Sequence, residues 1–185
     1  MLILASQSPR RSEILRQAGI PFVARPASVD ETVHCGETVE NYVKRVAQEK
    51  ACAIAGSEND VILGADTVVV IDGDILGKPR DPNDAMRMLE LLAGRQHEVI
   101  TGICFRRGRR LLNDRARTSV WFRPLTREQI RDYVASGEPM DKAGAYAIQG
   151  EASKFILRID GSYTNVVGLP IELVTEHLRT WQAVQ

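Results

Sequence analysis

The sequence predicts an α/β protein, a mixed β-sheet with flanking helices, in a single domain over residues 1–185. Three observations carry this. Apolar, β-branched runs alternate along the chain with stretches of helical periodicity. One run, Val61 to Ile71, is almost unbroken in strand-forming residues, as a strand buried on both faces requires. No internal repeat, low-complexity tract or linker interrupts the chain, and 185 residues suffice for one sizeable core or two small lobes.

Taken in order, Leu2–Ala5 is a short buried strand that exits through Ser6-Gln7-Ser8. Ser8 is placed to cap a helix starting at Pro9, whose missing N–H would be unpaired there anyway. A helix N-terminus carries partial positive charge and free N–H groups, so it attracts anions. Arg10 and Arg11 add two full charges in that first turn. Each opposes the helix dipole by roughly 0.3–1 kcal/mol, so the sequence expects an anion here. Neither a P-loop nor a dinucleotide-binding glycine pattern is present. Gly19 stops the helix. Phe22–Ala24 is a short strand, and Pro26–Gly36 a polar loop with Asp30 and Glu31. Glu37–Ala55 is a helix with Val39, Val43, Val46 and Ala53 near one face. Its Lys44, Arg45, Glu49 and Lys50 would ordinarily form a solvated face.

The Val61–Ile71 strand holds an anomaly, Asp66 within Gly64-Ala65-Asp66-Thr67. An acid in an apolar run is costly to bury unless it is paired, protonated, bound to metal or facing a cleft. Asp72-Gly73 signals a hairpin turn, and Gly77–Arg80 is a loop carrying Lys78. Asp81–Ala93 is a helix ended by Gly94. Gln96–Phe105 and Leu111–Phe122 are strands joined by an exposed basic turn, Arg106–Arg110. His97 reads as a satisfied structural histidine, since no second His or Cys lies at metal spacing. Thr126 and Gln129 form a capping box for a helix running to Ser136. Asp141–Gly150 is a loop of small residues shaped for close approach, with Lys142 and Gln149. Lys154–Ile159 is a strand, Gly161–Asn165 a turn, and Pro170 opens a last helix with Leu173, Val174 and Leu178 inward.

Lys plus Arg and Asp plus Glu number 24 each, which argues against stable nucleic-acid binding or an anionic membrane partner. Cys35, Cys52 and Cys104 are odd in number with no C-x-x-C pair, and read as reduced, half-buried thiols. The N-terminal apolar run is too short for a signal peptide, and no stretch is long enough to span a bilayer. A cytoplasmic protein is expected.

Six motifs, in order from Leu2 to about Leu178, resemble the Maf family of nucleoside triphosphate pyrophosphatases. They are LASQSPRR, GADTVV, GKP, HEVITG from His97, DKAGAYAIQG and GSYTNVVGLP. The resemblance implies an elongated Maf/Ham1-like fold shared with inosine-triphosphate pyrophosphatases, two lobes around a central cleft, commonly a homodimer. It implies an enzyme that depends on a divalent metal (Mg²⁺, Mn²⁺ or Co²⁺) and cuts a nucleoside triphosphate between the α and β phosphates. Asp66-Thr67 and Gln149 are similar to the dTTP/UTP branch, and the pattern of the 7-methyl-GTP branch is absent. Asp66 would then be the general base, with Arg10, Thr67 and Gln149 setting specificity.

The residue types suit that chemistry. A triphosphate brings about four negative charges, so it needs several cations. Ser6, Arg11, Lys50 and Lys78 are the candidate phosphate ligands. Mg²⁺ takes one or two carboxylates plus substrate phosphates, and Glu31 and Asp66 are the candidates. Uracil and thymine present an acceptor–donor–acceptor edge that the Gln149 amide can meet. Two alternatives stay open: house-cleaning of other non-canonical nucleotides, or a nucleotide-binding regulator of septum formation without turnover.

Overall fold

In a computed structural model, which describes residues 1–182, the fold starts from β1 (Leu2–Ala5), buried along its whole length. Residues 183–185 of the expected domain lie outside the described residues. β1 pairs in parallel with both β2 (Val23–Ala24) and β3 (Val61–Ile71). Parallel neighbours need crossovers, supplied by α1 (Pro9–Gln17) and α2 (Val39–Ala53). Asp72 (φ 54) and Gly73 (φ 87) then reverse the chain, and β4 (Asp74–Leu76) pairs antiparallel with the end of β3. This is the Asp-Gly hairpin the sequence predicts. With β5 (Gln96–Arg107), β6 (Arg110–Phe122) and β7 (Ile156–Asp160) the sheet has seven strands. Its order is β2-β1-β3-β5-β6-β7 with β4 beside β3, and β7 antiparallel to β6. The sheet is mixed, as expected. Among the described residues no helix is long and apolar enough to cross a membrane.

The chain divides into two compact units. The first comprises Met1–Thr67, Thr101–Ala116 and the chain from Gly168 on. Its core joins Ile3, Ala5, Ala47, Ala51, Ile54, Ile62 and Cys104. Helix α2 comes so close to the strands that two glycines become obligatory. A Cβ on Gly64 would stand 2.0 Å from the Ala47 carbonyl oxygen, and one on Gly102 2.3 Å from that of Val43. Ala53, expected on the inner face of α2, is exposed, because the buried positions run Val43, Val46, Ala47, Lys50, Ala51 and Ile54. The basic turn is not simply exposed either. Arg106 is half-buried and donates to the Ala51 and Ile54 carbonyls, where a cation also complements the negative end of α2. Of the cysteines only Cys104 is buried; Cys35 sits in the polar loop and Cys52 on the outer side of α2. Helix α6 (Ile171–Gln182) closes this unit, with Val174 fully buried and Leu173 and Leu178 partly so.

The second unit, Val68–Ile100 and Arg117–Val167, packs around α3 (Pro82–Leu92) and α4 (Arg127–Ala135). Leu89, Leu92, Val99, Phe122, Ile130, Tyr133, Tyr146 and Phe155 are in its core. Asp81 caps α3, and the Thr126–Gln129 capping box is formed as predicted. The expected loop Asp141–Gly150 contains a short 3₁₀ turn at Ala143–Ala145, and a second, Glu138–Asp141, leads into its start. Gly144 has φ 66, and a Cβ there would lie 2.7 Å from Val69. The strand expected from Lys154 begins only at Ile156, after a 3₁₀ segment, Glu151–Phe155, that delivers Phe155 to the core. The expected turn at Gly161–Asn165 winds into a short helix, α5 (Tyr163–Val167).

His97 is structural, as the sequence suggests, but it is not fully satisfied, since its Nδ1 is buried with no hydrogen-bond partner. Its Nε2 shares a 2.8 Å hydrogen bond with the Tyr146 hydroxyl, and its ring meets Phe122 and Tyr146 edge-on. Burial pushes its pKa down to about 4. The unfolded imidazole titrates near 6.5, so between these values the unfolded chain binds a proton that the folded chain refuses. Stability from this group is therefore full above about pH 6.5 and declines as pH falls toward 4. Urea unfolding should show a loss of about 2 kcal/mol attributable to His97 between pH 7 and pH 5, absent in His97→Gln. At neutral pH Gly64→Ala should destabilise by at least the upper end of about 1–3 kcal/mol, because the added methyl meets backbone that cannot step aside.

Candidate active site

Alternation along β3 places its functional residues. Gly64 and Asp66, two apart, face the same side of the strand, where α2 lies against Gly64. Lys50, on the inner face of α2 one turn beyond Ala47, therefore arrives at Asp66. Both are nearly buried, at 7% and 5% exposure. Lys50 Nζ donates to Asp66 Oδ1 at 2.7 Å and also contacts Glu31 Oε1 at 2.7 Å. The sequence classes Lys50 with an ordinarily solvated face; the close approach of α2 to β3 buries it. Asp66 Oδ2 is buried with no hydrogen-bond partner. A buried acceptor left over in this way calls for a ligand or a proton.

Thr67 points to the opposite side and meets α1. Its Oγ1 accepts from Arg11 Nη2 at 3.0 Å, donates toward the Gly168 carbonyl at 3.2 Å and lies 3.0 Å from Thr101 Oγ1. Arg11 also donates through Nε to Gly168 O at 2.8 Å and through Nη1 to Ser6 Oγ at 3.2 Å. Ser8 caps α1 by accepting from the Arg11 backbone N–H, and Ser6 Oγ accepts from Ser8 N. Burial pulls the Arg11 pKa down, opposed by the charges of Asp66 and Glu31 and assisted by that of Arg10. The arginine predicted to wait for an anion is thus also a brace for the loop that leaves β1.

Of the residues singled out from sequence, Ser6, Arg10, Arg11, Glu31, Lys50, Asp66 and Thr67 all lie in the first unit. The structure joins Glu31, Lys50 and Asp66 in one cluster and Ser6, Arg11 and Thr67 in a second. Arg10 sits half-buried beside Arg11 in the first turn of α1. Lys78 and Gln149 are exposed and belong to the second unit. Sequence reasoning missed Thr101 and Gly168. Both stand inside quoted motifs, HEVITG and VVGLP, but nothing local says that a buried hydroxyl and a main-chain carbonyl are what those motifs contribute.

A family model described as Maf-like protein matches residues 1–181. The chain belongs to the Maf family. It is 54% identical over 183 residues to a protein of Anaeromyxobacter sp. (strain Fw109-5) named dTTP/UTP pyrophosphatase, covering 96% of this chain and 88% of that one. A Geobacter sp. (strain M21) protein with the same name is 51% identical over 181 residues, covering 96% and 94%. Among solved structures the Staphylococcus aureus Ham1 protein is similar at 13% identity and a TM-score of 0.46, over 65% of this chain and 71% of that one.

The donors of this Maf chain fit a hard divalent cation. Among the described residues no three His, Cys, Asp or Glu side chains gather into a metal-binding group. Two carboxylates stand ready instead, Glu31 and Asp66, sharing one ammonium between them and leaving Asp66 Oδ2 unpaired. Such a set suits an ion that completes its shell with water and phosphate, not a closed structural zinc site. Lys50→Met should cost about 3–5 kcal/mol in urea unfolding, because Asp66 loses its buried counter-charge. Adding Asp66→Asn to that variant should recover most of the loss.

Proposed function

We propose that this chain is a nucleoside triphosphate pyrophosphatase that hydrolyses dTTP and UTP to the monophosphate and pyrophosphate. The observation that carries the reaction is the Asp66 carboxylate, one oxygen held by Lys50 and the other buried without a partner. The substrates follow from the names of relatives about half identical along nearly the whole chain. Cleavage consumes one water: its oxygen bonds to phosphorus as the bridge between the α and β phosphates breaks. Asp66 Oδ2 takes its proton, while Lys50 holds the carboxylate in place from the other oxygen. A divalent cation, Mg²⁺, Mn²⁺ or Co²⁺, bound by Glu31 and Asp66, supplies neutralisation of phosphate charge. Arg10, Arg11 and the Ser6 hydroxyl offer charge and hydrogen bonds to phosphates at the start of α1, and Lys78 adds a further cation.

Base choice falls to Gln149, whose amide complements the pyrimidine edge, with Arg10. Thr67 serves this role indirectly, its hydroxyl being committed to Arg11 and Gly168. On the same reading the protein works in the cytoplasm as a homodimer and does not bind nucleic acid stably, in keeping with its balanced charge. The deciding experiment follows dTTP and UTP with Mg²⁺ by phosphorus NMR. The expected products are monophosphate and pyrophosphate, and Asp66→Asn should lower kcat by about 10²- to 10⁴-fold while keeping the fold. Release of the nucleoside diphosphate and inorganic phosphate, or near-normal turnover by Asp66→Asn, would refute the assignment.

A further inference from the structure

Glu31 occupies an improbable place for a metal ligand. The chain from Arg25 to Thr38 has neither helix nor strand, and the Glu31 side chain is 51% exposed. Yet its carboxylate meets the same ammonium that holds the buried Asp66. A flexible acid held at one point needs a backbone held at the same point, since ordering a free chain segment costs conformational entropy.

The N-terminal half of α2 supplies that hold. Tyr42 Oη donates to the Glu31 carbonyl at 2.9 Å, and Arg45 Nη2 donates to the Thr32 carbonyl at 2.9 Å. Tyr42, Arg45 and Glu49 succeed one another at helical spacing, and Arg45 is itself fixed by Glu37 at 2.7 and 2.9 Å and by Glu49 at 3.2 Å. The Arg45 guanidinium lies 5.5 Å from the Tyr42 ring centroid. The Tyr42 residue is 5% exposed, so its ring is packed away and its hydroxyl emerges at the loop. Asp30 completes the tie by accepting from the Thr32 N–H and hydroxyl. Two consecutive carbonyls, at 31 and 32, are thus pinned from one helix face, a turn or two before the Lys50 that receives the side chain.

We propose that Tyr42 and Arg45 are positioning residues, which hold Glu31 at Lys50 and Asp66 so that a divalent cation finds both carboxylates preset. The proposal rests on the metal-dependent reading given above and deepens it. Its test uses the full chain and Mn²⁺ alone, titrated by calorimetry without nucleotide. Tyr42→Phe keeps the ring and removes one hydrogen bond, and should weaken Mn²⁺ binding roughly 3- to 10-fold. Arg45→Met, at a residue outside the core, should act in the same direction. Amide exchange over residues 30–34 should quicken in both variants, with the exchange of α2 unchanged. In a Glu31→Gln background, Tyr42→Phe should add no further loss of Mn²⁺ affinity, since its effect runs through Glu31.

A merely structural Tyr42 would give an equal loss in either background, and that result overturns the proposal. So does unchanged Mn²⁺ affinity in both single variants. A wild-type chain that binds Mn²⁺ but releases no pyrophosphate from dTTP or UTP overturns the assigned reaction and leaves the positioning role standing. A wild-type chain that binds no Mn²⁺ overturns the positioning role together with the metal site beneath it.

Discussion

One ammonium between two carboxylates is the constraint from which the first unit takes its form. Asp66 in a buried strand and Lys50 on a buried helix face would each be costly alone. Together, at 2.7 Å, each makes the other tolerable, and both depend on α2 lying unusually near β3. That nearness has identifiable causes. Gly64 and Gly102 carry no Cβ where the α2 carbonyls pass, and Arg106 ties down the carbonyls at the end of the helix. Pairing of this kind adds little net stability over an apolar substitute.

The two sides of β3 divide the labour. On the side of Asp66, charge is paired and one oxygen is left over. On the side of Thr67, hydroxyls, a guanidinium and a glycine carbonyl tie together the start of α1, the end of the first unit's β3 segment and the chain entering α6. Adjacent residues of a strand face opposite ways, so a single dipeptide, Asp66-Thr67, anchors both assemblies. The acid and the threonine of this dipeptide thus hold different partners: Asp66 meets Lys50 of α2, and Thr67 braces Arg11 at the start of α1.

In the reaction proposed above, Asp66 both takes up a proton and faces a cation, so it has to be held without being saturated. Lys50 satisfies that requirement by occupying one oxygen only. Glu31 brings a second acid from a segment lacking regular structure, so its contribution depends on anchorage by side chains of α2. Rigid secondary structure thus presents Asp66 and Lys50, while side-chain-to-backbone bonds confer comparable order on a loop.

The sequence by itself determined the mixed α/β class, the β1–α1 and β3–β4 junctions, the caps at Ser8 and Thr126, and the oddity of Asp66. Those features are local: they follow from periodicity, turn chemistry and the cost of an acid in an apolar run, all readable within a few residues. The burial of Lys50, the engagement of Thr67 with Gly168 and the capping by Arg106 were decided by tertiary structure alone. Each joins groups between 16 and 101 residues apart in the chain. A lysine at helical spacing looks solvated until another element covers it, and a hydroxyl looks available until its partners arrive. Local pattern fixes what each segment can become, and packing at bare glycine backbone decides which side chains meet.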